Sequence, residues 1–356
     1  MSNDSEEFIF ATLYRKRWLM LFLFCCTSLC NAYHWINLSI ISDRVLVVWN
    51  ATIPGSTEVA RRMAVDWISL VYFVTYIPLI FPAFLVLNRF GLRVTNVTAA
   101  VLNTLGSWLK CVACVLATHT LNSPSAPGLV SSAYPLLMTA QTIEAVAQLF
   151  VLGIPSPLAS TWFGERELST ATSIGVLANQ LGTALGFAIP PLIVGTWYTA
   201  ENDTIGARYE QMHREIEYLL YGSAAFTTLL AIPVILLFKE RPPTAPSLAE
   251  SLRLTKRNRR KSIGSGGTTL VSTSYNGEIC TDGSWSIQQQ LKSICTNRSF
   301  LLLTLCYGTN TGVAYAWSIL LNVILQQYFQ SESEYACVAT TFKSIGSDGV
   351  MSNKAI

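Results

Sequence analysis

The chain reads as an all-α integral membrane protein with about seven membrane-spanning helices. Three observations predict this. Only 13% of the 356 residues are charged and 51% are hydrophobic, about half the charge of an ordinary soluble domain. The mean hydropathy is +0.39. The apolar residues also come in blocks of about 20, the length a helix needs to cross a bilayer. Because lipid offers no hydrogen bonds, each block must satisfy its own backbone and is read as helix.

Residues 1–17 form a polar N-terminus that ends in Arg15, Lys16 and Arg17. Span one, 18–42, has no small-residue cleavage site after it and reads as retained rather than as a signal peptide. Spans 66–88, 94–117, 130–153, 170–195 and 218–238 complete a six-helix unit over 18–238. Pro78, Pro82, Pro135, Pro190 and Pro191 fall inside these spans, where kinks are tolerated. Residues 239–299 form a basic linker, including "RLTKRNRRKS" and "GSGG". It reads as a flexible cytoplasmic tether, or as a segment controlled by anionic lipid or by phosphorylation around Ser262. Residues 300–326 supply a seventh span, and 327–356 are a divergent polar tail too poor in apolar residues to cross.

Lys and Arg in short loops set orientation. Arg15–Arg17, the pair Arg89 and Arg93, and the linker with its ten Lys/Arg against four Asp/Glu predict cytoplasmic positions. Residues 196–217, with five acidic and two basic residues, suit the outside. The sequons at Asn50 and Asn202 fall in loops this topology puts outside and are the candidate glycosylation sites. A net charge of +3 suggests no nucleic-acid partner. The nine cysteines show no disulfide or zinc pattern, and Cys111 and Cys114, a CxxC inside span three, read as small apolar fillers. No metal and no cofactor are expected. With three histidines, no phosphate-binding glycine loop and no nucleophile near a base, no enzyme is expected either.

Three polar stripes interrupt the spans. Span one carries Asn31, His34 and Trp35 in "NAYHWI". Span four carries Gln141, Glu144 and Gln148, and span seven carries Thr311, Tyr315, Ser318 and Asn322. Their three- and four-residue spacings put each set on one helix face. Such stripes face a wet cavity or the bundle interior; the plainer reading is polar glue between helices. Aromatic faces beside amides suit a quaternary ammonium, held by the ring quadrupole. The same surface suits a flat hydrophobic ring, with His34 then a candidate contact to haem iron. Glu144 could attract a cation, carry a coupling proton or pair with His34. Gly182 and Gly186, in GxxxG spacing, predict close helix approach.

"LNRFGLR", with Asn88, Arg89, Gly91 and Arg93, resembles the cytoplasmic turn motif of the major facilitator superfamily, with Asn88 standing where the motif usually has Asp. "NAYHWINLSIIS", "VDWISLVYFVTYIPLIFPA", "VAQLFVLGIPSPLASTWFGERELSTAT", "NQLGTALGFAIPP" and "YGTNTGVAYAWSILLN" resemble the feline leukaemia virus subgroup C receptor-related family, from about Arg17 to Tyr328. The resemblance implies two six-helix halves rocking about a midplane site. Here it predicts the six-helix N-terminal half, the linker and one helix of the second half, a C-terminally truncated form of a twelve-span fold. It implies a transporter of choline- and ethanolamine-like cations by facilitated alternating access, or alternatively a haem exporter. By motif match, Trp35, Gln148 and Tyr315 fall on the family's pocket positions, with Asn31, Glu144 and His34 beside them. Glu144 is a departure from the relatives, which carry no acid there. The expected partners are that small solute and the bilayer. The expected location is the plasma membrane with the N-terminus cytoplasmic, an intracellular membrane such as the mitochondrial one being the alternative. A transport-incompetent short isoform or a receptor-like membrane protein is the rival reading.

Overall fold

A computed structural model describes residues 13–49, 52–55, 57–122, 132–195, 205–247 and 294–325. Asn50, Asn202, most of the linker and the tail after 325 lie outside the described residues. Among those described, every regular element is helical. They are α1 (Lys16–Ile36), α2 (Ser42–Val48), α3 (Glu58–Asn122), α4 (Ala133–Gly153), α5 (Pro155–Trp162), α6 (Leu168–Ile193), α7 (Ile205–Leu237) and α8 (Arg298–Leu325), with a 3-10 turn Ser39–Ile41 between α1 and α2.

Among the described residues, five stretches are long and apolar enough to cross a membrane: Lys16–Val48, Glu58–Ala117, Ala133–Gly153, Leu168–Ile193 and Tyr209–Leu237. The second covers two predicted spans. Helix α3 runs 65 residues, about 98 Å if straight, far more than the roughly 30 Å of a hydrocarbon core. Its path breaks at Gly91, whose φ of 88° and ψ of −174° are non-helical. Tyr72 on the first arm and Lys110 on the second both reach the same Glu144 carboxylate. Residues 38 positions apart on a straight helix would be about 57 Å apart, so the arms fold back on each other.

The helices extend beyond the apolar blocks. Helix α3 begins at Glu58 and α7 at Ile205, earlier than the spans predicted from 66 and 218. The added turns are polar and self-supporting: Arg62 pairs with Glu58 at 2.9 Å, and Gln211 donates to Glu215 at 2.9 Å. Hydropathy marks where a helix leaves lipid, not where its backbone ladder stops. Helix α5 was not foreseen. Pro155 starts it, where a missing N–H costs nothing and the fixed φ suits a helix.

The chain divides into two compact units, Met1–Ser247 with Ile319–Ile356, and Leu248–Ser318. In the first, α1 is the central helix, packed against α3, α4, α6 and α7. One apolar core joins Phe24 of α1 with Leu92, Leu158, Trp162, Phe163 and Phe238. Gly182 and Gly186 do what their spacing predicts. A Cβ on Gly182 would meet the Leu29 backbone, and one on Gly186 would meet Ile36 Cγ2 and the Tyr33 carbonyl. Helix α6 therefore lies backbone to backbone along α1. Outward, Phe22, Ile77, Phe84, Leu192, Leu229 and Leu236 are exposed, the apolar belt a bilayer requires. In the second unit, α8 is exposed from Arg298 to Trp317 except at Thr311 and Tyr315, which are half-buried.

Candidate functional site

The stripe on α1 and the stripe on α4 meet in one buried polar network. Asn31 Nδ2 donates to Asn103 Oδ1 at 2.8 Å and to the Glu144 carbonyl at 3.0 Å. Gln141 Nε2 reaches the carbonyls of His34 and Trp35 at 3.3 and 3.4 Å. These carbonyls lie in the last turn of α1, where backbone acceptors have no partner within the helix. Asn31, His34, Gln141 and Glu144 are all 0% exposed.

Glu144 is the hub. Its Oε2 lies 2.5 Å from Lys110 Nζ on the second arm of α3, and the Tyr72 hydroxyl donates to the same oxygen at 3.3 Å. Its Oε1 faces His34 Nδ1 at 3.7 Å. His34 Nε2 lies 2.9 Å from Thr227 Oγ1 of α7. Lys110 Nζ also donates to the His34 carbonyl at 3.1 Å. Gly106 makes room: a Cβ there would collide with Glu144 Cγ and approach the Ala140 carbonyl at 3.0 Å. A carboxylate alone in this setting would be costly, and its cation neutralises it and satisfies its lone pairs. Four helices, including both arms of α3, are thus tied to one charge-matched centre.

Trp35 sits beside this network at 3% exposure. Its indole N–H donates to the Ser69 carbonyl at 3.4 Å, and its ring meets Phe73 edge-on with centroids 5.9 Å apart. Ser69 Oγ donates to the Trp35 carbonyl at 3.4 Å and is bonded to Ser39. Gln148 lies one turn beyond Glu144 on α4 and is half-buried. Tyr315 belongs to α8 of the second unit. The network therefore joins Asn31, His34, Gln141 and Glu144 with Trp35 alongside.

Lys110, Tyr72, Asn103 and Ser69 were missed by the sequence reading. For Lys110 a signal existed: it is the single Lys or Arg within the seven predicted spans, and Glu144 is the single carboxylate deep within one. Opposite buried charges in neighbouring spans are expected to find each other.

The turn motif is a second constellation. Gly91 turns the chain, and the Glu240 carboxylate accepts from the backbone amides of Leu92 at 3.1 Å and Arg93 at 2.7 Å. Those amides open the second arm, so the anion sits at a helix N-terminus, where orphan donors and the helix dipole favour it. Asn88 and Arg93 are exposed, and the Arg89 guanidinium lies 5.7 Å from the Phe90 ring. Arg17 pairs with Glu167 at 3.0 Å, linking the entry of α1 to the entry of α6.

Comparison with known proteins places this architecture. Residues 20–347 match the Major Facilitator Superfamily. The choline/ethanolamine transporter flvcr2b of Danio rerio is 34% identical over 320 residues, covering 90% of this chain and 54% of that protein. The choline/ethanolamine transporter FLVCR2 of Homo sapiens is 34% identical over 331 residues, covering 93% of this chain and 52% of that protein. The choline/ethanolamine transporter FLVCR1 of Mus musculus is 34% identical over 321 residues, covering 89% and 49%. The chain thus spans about half the length of the curated relatives it matches. With the helices of its described residues, its apolar outer face and the match over residues 20–347, the chain belongs to the Major Facilitator Superfamily of membrane transporters, and it is similar to the FLVCR proteins within it.

Proposed function

We propose that the chain serves the transport of choline- or ethanolamine-like cations by facilitated alternating access, with Trp35, Gln148 and Tyr315 as solute contacts. The observation that carries this reading is the charge match at Glu144. With Lys110 at 2.5 Å, the carboxylate is not a free anion competing for any passing cation. Recognition then falls to aromatic faces and amides, which suit a quaternary or primary ammonium with a hydroxyl tail. Trp35, with Phe73 behind it, provides a rigid aromatic wall. Asn31, His34 and Glu144 belong to the buried polar network beside it. The Gly91 turn with Asn88, Arg89 and Arg93 serves as a gating motif at the cytoplasmic face. The names of the relatives point to the same solutes.

Haem export draws no support from His34, which is fully buried with Nε2 engaged by Thr227. The test is radiolabelled choline uptake by cells expressing the gene that encodes this chain. Uptake above vector control is expected, with Trp35→Ala losing most of it and Trp35→Phe retaining a larger share. Uptake that Trp35→Ala leaves unchanged would remove Trp35 from the site.

A further inference from the structure

Outside the network around Glu144, one cluster of ligating side chains converges among the described residues of the first unit. Cys114 lies near the end of the second arm of α3, and His213 and Glu217 lie four residues apart on α7. One ligand atom from each falls within 4.8 Å of the others. His213 Nε2 is 4.0 Å from Cys114 Sγ, and its Nδ1 is 3.6 Å from Glu217 Oε1. Cys114 is 0% and His213 3% exposed, while the Glu217 side chain keeps 27%. The cluster is therefore buried at Cys114 and His213 and partly exposed at Glu217.

We propose that Cys114, His213 and Glu217 form a binding site for a divalent transition metal of the Zn²⁺ class. The donor set decides the class. A thiolate excludes the hard cations Ca²⁺ and Mg²⁺, which take oxygen ligands, and imidazole with sulfur suits Zn²⁺. A tetrahedral centre with Zn–S of about 2.3 Å and Zn–N of about 2.0 Å needs ligand atoms about 3.5 Å apart. Only one ring nitrogen of His213 can ligate the ion; with one ligand atom from each residue all separations are within 4.8 Å, and side-chain movements of roughly 1 Å bring them to that spacing. Three protein ligands leave the fourth position to water on the Glu217 side. Coordination requires the thiolate, so each ion bound displaces the Cys114 proton to solvent, and affinity rises with pH. A bound ion would staple α3 to α7 near the ends of both helices that the charge pattern assigns to the outside. Within the sequence, Cys114 had only Cys111 as a companion; the partners the fold supplies are 99 and 103 residues further on.

The experiment uses the full chain, purified in nanodiscs with a tag that contains no histidine. Its three histidines keep the background low. Zn²⁺ is titrated directly, and Co²⁺ is added separately for its thiolate-to-metal charge-transfer band. Wild type is expected to bind one Zn²⁺ per chain and to show the band. Cys114→Ser and His213→Gln each lose at least about tenfold in affinity, since even ligand-supporting residues contribute that much. Cys295→Ser and Cys306→Ser, both at exposed cysteines, leave binding intact. The wild-type Co²⁺ spectrum decides even if a ligand variant fails to fold. Absence of the thiolate band, or Zn²⁺ affinity unchanged in Cys114→Ser and His213→Gln, would overturn the site. Neither readout depends on choline, so failure here and failure of the transport reading are separate results.

Discussion

At the scale of the residue, the decisive feature is a lysine in an apolar span, 94–117, that is otherwise free of charge. Lys110 and Glu144 are both 0% exposed. Removing one partner of such a pair leaves an uncompensated buried charge, at a cost of about 3–5 kcal/mol, whereas replacing both by neutral groups is often near neutral. Lys110→Met and Glu144→Gln are therefore each expected to lower thermal stability strongly in nanodiscs. The double variant should recover most of the loss. Additive losses in this cycle would show that the two residues do not act as a pair. Asn31, His34, Gln141 and Glu144 were legible beforehand because helical spacing of polar residues in an apolar span is visible in one dimension. Lys110 stands alone on its span, without a stripe, and its partner is 34 positions away. Nothing in the spacing says which faces of two spans meet.

At the scale of the element, Gly91 determines how a 65-residue helical run becomes two antiparallel arms. Its φ of 88° with ψ of −174° is a conformation that essentially only glycine adopts, at a cost of about 1–3 kcal/mol for other residues. A Cβ there would also strike the Glu240 carboxylate. Gly91→Ala is expected to cost at least that range, seen as a lower unfolding temperature, and Glu240→Ala to cost about 1 kcal/mol as a lost helix cap. A neutral Gly91→Ala would mean that the turn is not held in this conformation. The tight basic turn was legible from "LNRFGLR". The cap was not, because Glu240 belongs to the polar linker, where one acidic residue looks like any other.

At the scale of the whole molecule, charge asymmetry makes the topology testable. Arg15–Arg17 precede α1, and loops rich in Lys and Arg stay on the cytoplasmic side. An epitope placed before Met1 is expected to be silent to antibody in intact cells and to label after permeabilisation. Labelling of intact cells would invert the proposed orientation. By itself the sequence determined the class of solvent, the helical character and the segments apolar enough to cross, since these follow from hydrophobic length and backbone satisfaction, both local properties. It also marked, through Gly182 and Gly186, a face of close approach. Only the tertiary structure decided which polar faces meet. The pairing of Glu144 with Lys110, the capping of α3 by Glu240 and the convergence of Cys114 with His213 and Glu217 all join residues remote in sequence. The physical reason is that burial cost depends on a residue's own chemistry, whereas its compensation depends on which neighbour the fold brings within about 4 Å.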